Sequence, residues 1–170
     1  AFDINKAWFR GGVPQSYLAP DEDDAWEWRR NFISTYVERD IPQLGPKIES
    51  KKLKDLWSML GHLHGTQINQ EKLAGALGVS NPTVKHYIDI LTDLYMVRQL
   101  QPWAGNTKKR LVKSAKVYVR DSGLLHNLVH ISNPEILQGH PIKGMSWEGF
   151  IIENILSTVS EKWRYSYYQT

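Results

Sequence analysis

Residues 69–91, NQEKLAGALGVSNPTVKHYIDIL, decide the fold of the central part of the chain. Leu73 and Leu77 lie four residues apart and predict a short helix over about 69–77. The next three residues, Gly78-Val79-Ser80, predict a turn. The following helix begins with Asn81 as its N-cap and Pro82 at its first position, where proline is favoured. The stretch therefore predicts two short helices joined by a tight turn.

The second helix of this pair presents two different faces. One face has the helical spacing of an apolar stripe, formed by Val84, Ile88, Leu91 and Tyr95. Polar side chains lie away from that stripe, and they are Lys85, His86 and Asp89. The pattern predicts a helix with one buried face and one face in solvent.

The elements on either side complete a recognisable order. An amphipathic helix precedes the pair, with its apolar residues at Leu53, Leu56, Trp57, Leu60 and Leu63. Residues 97–100 and 116–120 alternate in polarity and predict two strands, with a turn at Gly105-Asn106-Thr107 between them. Helix, short helix, helix, strand, turn and strand in this order describe a winged helix.

The charge distribution singles out the predicted strands and their turn. Between Arg98 and Arg120 the chain has seven basic residues and no Asp or Glu, although the formal net charge of all 170 residues is only +3. Such a stretch is either a phosphate-binding surface or a solvated face. In the first case Lys108, Lys109, Arg110 and Lys113 would contact phosphates.

Composition excludes several other classes of protein. No run of eighteen apolar residues or signal peptide is visible, which predicts neither a transmembrane helix nor membrane contact. Cysteine is absent, which excludes disulfides and thiolate metal sites and fits the cytoplasm. The chain starts at Ala1 and stops in a Tyr-rich run, so we expect a fragment of a longer protein.

The flanking regions predict further helices. Residues 24–39 predict a helix, and Ile41-Pro42 and Gly45-Pro46 are expected to end it. Another helix is expected to start at Asp121 or Ser122, and a last one covers about 146–159. Residues 163–168 alternate like the beginning of a strand. The fold class expected is mainly α with a small β wing.

Five motifs in order resemble one known family. They are Arg10-Gly11-Gly12-Val13-Pro14, residues 35–42 (TYVERDIP), residues 106–114 (NTKKRLVKS), Lys116-Val117-Tyr118 with Asp121-Ser122-Gly123-Leu124, and Trp147-Glu148. This order resembles the domain of unknown function that follows the AAA+ module in a widespread family of prokaryotic ATPases. The resemblance implies a lid-like helical segment over 1–46, a winged helix domain over 47–130, and a linker with the start of a truncated nuclease-like α/β domain over 131–170.

The resemblance also implies roles for individual residues. In the parent protein Gly12 and Pro14 would contact the nucleotide, and Arg10 would lie near its phosphates. The ATPase domain of that protein would bind ATP and Mg²⁺, and it is missing from this chain. The alternative is a plain structural turn. Glu148 would hold the first-helix acid position of a PD-(D/E)XK nuclease, or would be an ordinary exposed glutamate. The other acids of that site would lie outside this chain, so the catalytic set is incomplete.

Other chemistry is absent or weak. No P-loop string exists, so the chain should not hydrolyse ATP alone and needs no cofactor. His126 and His130 lie four apart on a predicted helix but lack a third ligand, and we expect both at the surface. His62 and His64 are two apart and point different ways. No metal site is predicted.

Three functions remain open at this point. The leading hypothesis is a module that contacts double-stranded DNA through the basic turn and the third helix, whose candidate base readers are Asn81, Thr83, Lys85 and His86. The first alternative is a structural or protein-interaction module of the ATPase. The second alternative is a non-functional piece of a nuclease-like domain.

Overall fold

Most of the chain is helical, with one small antiparallel sheet. The computed structural model describes residues 2–43, 48–103, 114–160 and 162–168. The helices are α1 (Ile4–Arg10), α2 (Pro14–Tyr17), α3 (Glu22–Thr35), α4 (Ile41–Gln43), α5 (Ser50–His62), α6 (Gln70–Leu77), α7 (Asn81–Asp93), α8 (Ser122–Leu128), α9 (Pro134–Gly139) and α10 (Lys143–Thr158), and the strands are β1 (Val97–Leu100) and β2 (Lys116–Val119). The expectation of a mainly helical chain with a small β component is confirmed. Among the described residues, no helix is long and apolar enough to cross a membrane.

The helix that was expected to stop at Ile41-Pro42 continues past the proline. Between α3 and α4 the chain forms a π-helical segment, Tyr36–Asp40, in which the Ile41 amide donates to the Tyr36 carbonyl five residues back. A wider turn of this kind relieves the clash that a proline ring makes with the carbonyl four residues earlier. The prediction of a break at Pro42 was wrong for this reason.

The helix pair at 69–91 forms as predicted, with two local corrections. Asn69 caps α6 by accepting from the Lys72 amide, and Gly78 ends it in the left-handed conformation. The cap of α7 is Ser80, whose hydroxyl accepts from the Thr83 amide, and Asn81 is the first helical residue. The second correction is that α7 ends at Asp93, so Tyr95 lies beyond the apolar stripe and is exposed.

The sheet has one core face and one face toward α10. The register pairs Val97 with Val119 and Arg98 with Tyr118. Val97, Val117 and Val119 join the main apolar core, together with Leu53, Leu56, Trp57 and Leu60 of α5 and Val84, Ile88 and Leu91 of α7. The expected strand at 163–168 is reduced to a single bridge between Pro102 and Tyr167.

A second edge of β2 is also paired. The Gly65 amide donates to the Val117 carbonyl over 2.7 Å, and the Val117 amide donates to the Thr66 carbonyl over 3.0 Å. Gln67 forms an antiparallel bridge with Lys116. The segment between α5 and α6 therefore lies along β2 on the side away from β1.

Two buried histidines fix the start of α10 against the rest of the fold. His64 accepts from the Val119 amide through Nδ1 and donates from Nε2 to the Met145 carbonyl, because a carbonyl can only accept. His126 donates from Nδ1 to the Phe9 carbonyl, so its Nε2 accepts from the Ser146 hydroxyl at 2.7 Å. Trp8 Nε1 donates to the same hydroxyl at 3.0 Å. The surface position expected for His126 was wrong, since tertiary contacts bury it completely.

The N-terminal helices attach to α8 at a close backbone contact. Asp121 caps α8 by accepting from the Leu124 amide, and its other carboxylate oxygen accepts from the Gly12 amide at 2.8 Å. A Cβ on Gly123 would lie 2.1 Å from the Arg10 carbonyl oxygen. The turn after α1 and the first turn of α8 therefore fit together only because residue 123 is glycine.

Candidate nucleic-acid interface

The orientation of α7 is set by its buried side chains. Val84, Tyr87, Ile88 and Leu91 are all buried. Tyr87 also accepts from the Glu49 amide through its hydroxyl, which fixes the helix against the start of α5. Because one face is anchored in this way, the N-terminal half of the opposite face lies in solvent.

The four candidate base readers lie at this end of α7 but are not equally free. Asn81, Lys85 and His86 are exposed, and Thr83 is half-buried. The Thr83 hydroxyl shares a hydrogen bond with Ser80 at 2.8 Å. Lys85 forms an ion pair with Asp89 one turn along, with 2.8 Å between Nζ and Oδ2. The Lys85 ammonium is therefore already paired with a carboxylate of its own helix.

A polar cleft of about 610 Å³ opens beside the N-terminus of α7. Its walls come from α6, α7, β1 and the residues before β2. They include the amide residues Asn69, Gln70, Asn81, Gln99 and Gln101 and one carboxylate residue, Glu71. Primary amides both donate and accept hydrogen bonds without carrying charge. A surface of this chemistry can bind the edges of bases or other uncharged polar groups.

The basic residues predicted to contact phosphate lie between β1 and β2 in the sequence. Lys108, Lys109, Arg110 and Lys113 fall within 104–113, which lies outside the described residues. The basic stretch begins at Arg98 on β1 and ends at Arg120 directly after β2. Both arginines bind Glu153 of α10.

The Arg10–Pro14 turn shows which of its residues can meet another molecule. Arg10 is buried and its guanidinium donates to Glu22 Oε1 at 2.9 Å and to the Ala19 carbonyl at 2.6 Å. Gly12 and Pro14 are exposed, although the Gly12 amide is bound to Asp121. Of the three residues implied by the resemblance, Gly12 and Pro14 are accessible and Arg10 supports the turn from within.

The structure places Glu148 on the exposed side of α10. Its carboxylate accepts from the Tyr118 hydroxyl at 2.6 Å and lies 3.9 Å from Lys116 Nζ. Burial raises the pKa of Tyr118 well above its ordinary value, and the hydrogen bond to Glu148 adds to this effect. No group of three or more metal-binding side chains occurs in the described residues. His130 lies after α8 in a left-handed conformation, whereas His126 is inside the core.

The buried charge in α3 was not predicted from the sequence. The buried face of that helix carries Ala25, Arg29 and Ile33, while Trp28, Phe32 and Tyr36 stack on each other at its half-buried side. Arg29 Nη1 donates to the Ser16 hydroxyl at 2.9 Å. Burial lowers the pKa of Arg29 to about 10, against the attraction of Asp121 and Glu22, so it stays charged at neutral pH. An Arg four residues from Ala25 and Ile33 was the only available signal.

Comparison with known proteins gives a family but no activity. The family model described as domain of unknown function (DUF8612) matches residues 1–135. Uncharacterized proteins of Mycobacterium tuberculosis and Mycobacterium bovis are each 41% identical over 156 residues, which cover 92% of this chain and 35% of the relative. An uncharacterized protein of Methanocaldococcus jannaschii is 24% identical over 158 residues, covering 89% and 35%. No solved structure matches the chain.

These relatives are much longer than the sequence studied. The chain spans about a third of the length of each of them. The family match covers all elements from α1 to α8 and ends within α9. The chain belongs to the DUF8612 family of domains of unknown function.

Proposed function

We propose that this chain is the DNA-contacting winged-helix part of a larger AAA+ type ATPase and does not itself hydrolyse ATP. The observation that carries the proposal is the exposed, polar N-terminal half of α7, which follows a tight turn from α6 and borders an amide-lined cleft. In helix-turn-helix proteins the N-terminal residues of the second helix reach base edges in the major groove. Asn81, Lys85 and His86 occupy the corresponding positions here.

The sheet supports the winged-helix interpretation. A winged helix packs a small sheet against its helices, and here β1 and β2 pair antiparallel beside α7. The segment from Gly65 to Ile68 forms hydrogen bonds with the other edge of β2. A winged helix has a short third strand at this place, between the helices that correspond to α5 and α6. The basic stretch that joins β1 to β2 would then form the wing and meet the phosphate backbone.

The ATPase and nuclease parts of the proposal rest on the sequence resemblance. The chain spans about a third of its relatives, so a further domain has room in the longer protein. Gly12 and Pro14 are the residues through which bound ATP would be sensed, and the Gly12–Asp121 hydrogen bond would connect that turn to α8. Glu148 would contribute one acid to a nuclease-like site completed by other residues.

Fluorescence anisotropy of a labelled duplex, titrated at several salt concentrations, tests DNA contact directly. Affinity should fall linearly on a log-log plot, because bound cationic side chains release counterions from DNA. The Lys108→Glu/Lys109→Glu/Arg110→Glu variant should bind more weakly and lose about one unit of slope for each phosphate contact removed.

A matched variant distinguishes the effect of losing wing contacts from the effect of changing the net charge. Lys51→Glu/Lys143→Glu/Lys162→Glu makes the same change in net charge on α5, α10 and the C-terminal segment. It should keep most of the binding. Equal losses in the two variants, or no binding of the wild-type chain at low salt, would reject DNA contact by the wing.

A protein-contact role is the second candidate, and α10 favours it. Met145, Trp147 and Ile155 leave between 37% and 55% of their surface exposed on this helix. Trp147 and Ile155 are eight residues apart and so share one face of the helix, and exposed apolar side chains in such an arrangement are typical of contacts with another domain or protein. A failure of salt-dependent duplex binding would leave this candidate as the better one.

A further inference from the structure

An arginine–tyrosine cluster lies on the face of the sheet that turns toward α10. Arg98 binds Glu153 through two guanidinium nitrogens, and Arg120 Nε donates to the same carboxylate at 2.8 Å. Each arginine also contacts a tyrosine ring. The Arg98 guanidinium carbon is 5.3 Å from the Tyr165 ring centre, and the Arg120 guanidinium carbon is 5.0 Å from the Tyr95 ring centre.

The two tyrosine rings are exposed although aromatic side chains normally seek burial. Tyr95 is 71% exposed and Tyr165 is 45% exposed. The Tyr165 hydroxyl is held by Arg98 Nη1 at 2.6 Å, so this ring is fixed in place at the surface. Rings that are both exposed and held by neighbours lose little freedom when a ligand binds them.

Tyr95 also occupies an unfavourable backbone conformation. Its φ is +63°, in the left-handed region where glycine is the usual residue. Its amide donates to the Thr92 carbonyl and the Met96 amide donates to the Leu91 carbonyl, which closes the end of α7. A glycine at position 95 would end the helix with less backbone strain. The stability of the fold therefore does not explain why this residue is a tyrosine.

The charge of the cluster determines the kind of ligand. Two arginines share one carboxylate, so the cluster of Arg98, Arg120 and Glu153 carries a net charge of about +1. Arg98 and Arg120 are also the two ends of the basic stretch that contains no acidic residue. Positive charge between exposed rings is the combination that binds single-stranded nucleic acid, with bases stacked on the rings and phosphates near the guanidinium groups.

We propose that the surface formed by Tyr95, Arg98, Arg120 and Tyr165 binds single-stranded nucleic acid. One or two unpaired bases stack on the tyrosine rings. The arginine side chains are 13% and 26% exposed, so their charge attracts the adjacent phosphates from beneath the rings. This site is separate from the α7 surface proposed for duplex DNA. It does not depend on that proposal.

The test uses a labelled oligothymidylate of about 12 nucleotides, titrated with the 170-residue chain at low salt. The informative variant is Tyr95→Gly, which removes the ring and relieves the backbone strain together. It should bind the single strand about tenfold more weakly, in line with the loss of one stacked base, while its melting temperature stays equal or rises. A combined Tyr95→Gly/Tyr165→Ala variant should lose most of the remaining affinity.

Two controls make the result specific. Tyr168→Ala removes a tyrosine that is equally exposed but lies against Trp103, and it should leave binding unchanged. Tyr95→Phe keeps the ring and should bind like wild type. Wild-type affinity in Tyr95→Gly, or no binding of the single strand by the unaltered chain, would overturn the proposal. Duplex titrations of the same variants should be unaffected, so failure here and failure of the duplex proposal are distinguishable.

Discussion

The ion pair between Lys85 and Asp89 bears directly on the DNA contact proposed for α7. Lys85 is a candidate to meet the DNA, but its ammonium is bound to a carboxylate one helical turn away. Both side chains are largely solvent-exposed, so the pair holds them only loosely. A phosphate arriving at this surface competes with Asp89 for Lys85 and is also repelled by the aspartate.

We therefore expect Asp89→Asn to strengthen duplex binding about threefold to tenfold at low salt, because it removes a negative charge and frees Lys85. Anisotropy titrations measure the change. Asp55→Asn makes the same charge change in α5 and serves as the control. Most of the gain should be lost when Lys85→Ala is added to Asp89→Asn, and the remainder is the direct repulsion of phosphate by Asp89. A gain that survives this addition undiminished would show that Lys85 is not the group released.

Among the elements, α10 depends most on a few polar contacts. Of its residues only Ser146 and Gly149 are buried, although the helix carries many apolar side chains. Ser146 accepts from Trp8 and donates to His126, and the adjacent Met145 carbonyl accepts from His64. A Cβ on Gly149 would lie 2.3 Å from His64 Nε2. The first turns of α10 are therefore held by specific hydrogen bonds and close contact rather than by extensive apolar burial.

Ser146→Ala should lower the free energy of unfolding by roughly 2–4 kcal/mol, because the buried Trp8 N–H and His126 Nε2 both lose their partner. Urea denaturation measures this loss. Amide hydrogen exchange should show the largest loss of protection at the start of α10. Ser157→Ala alters the same helix at an exposed hydroxyl that donates to the Asn154 carbonyl, and it should cost little. Similar destabilisation by the two substitutions would contradict this assignment.

For the molecule as a whole, the buried histidines make stability depend on pH. Burial lowers the pKa of His64 to about 4, against the hydrogen bond to Met145, and lowers the pKa of His126 to about 4, against the bond to Phe9. Both are therefore neutral in the folded protein at pH 7. The unfolded chain binds a proton at each histidine once the pH falls below about 6.5, so acid favours unfolding.

The free energy of unfolding should be constant near pH 7 and above with respect to these two groups. It should decline as the pH falls from about 6.5 toward 4, by a few kcal/mol in total. Urea titrations at pH 7, 6 and 5 cover the range before most carboxylates protonate. A His62→Gln/His86→Gln variant alters two exposed histidines and should keep the same decline. Stability that does not change between pH 7 and pH 5 would rule out this linkage.

Sequence patterns predicted the elements better than the contacts between them. Apolar spacing located α5, α6 and α7, and alternation located both strands, because these features depend on neighbouring residues. The break expected at Pro42 was wrong because the π-helical segment accommodates the ring. Asn81 and Ser80 are both good caps, so local chemistry could not choose between them.

The polar contacts of the fold could not be predicted in the same way. Gly12 and Asp121 are 109 residues apart in sequence, and Arg98 and Glu153 are 55 apart. Nothing in the local pattern pairs such residues. The same holds for His126, which has the sequence surroundings of a helix surface but is buried by α1 and α10. The candidate base readers on α7 were predictable because helix periodicity alone separates the exposed face from the buried one.

The two histidines that hold α10 have a spectroscopic consequence. His64 carries its proton on Nε2 and His126 carries its proton on Nδ1, since each must donate to a backbone carbonyl. The chain thus contains one imidazole of each tautomer, both locked, whereas a solvated imidazole averages between the two forms. The ¹⁵N resonances of the two rings provide separate reporters for the β2 side and the α1 side of α10. If this helix leaves its place when another molecule binds, both rings enter solvent and their pKa values return toward the ordinary value of about 6.5, and each attachment can be followed separately.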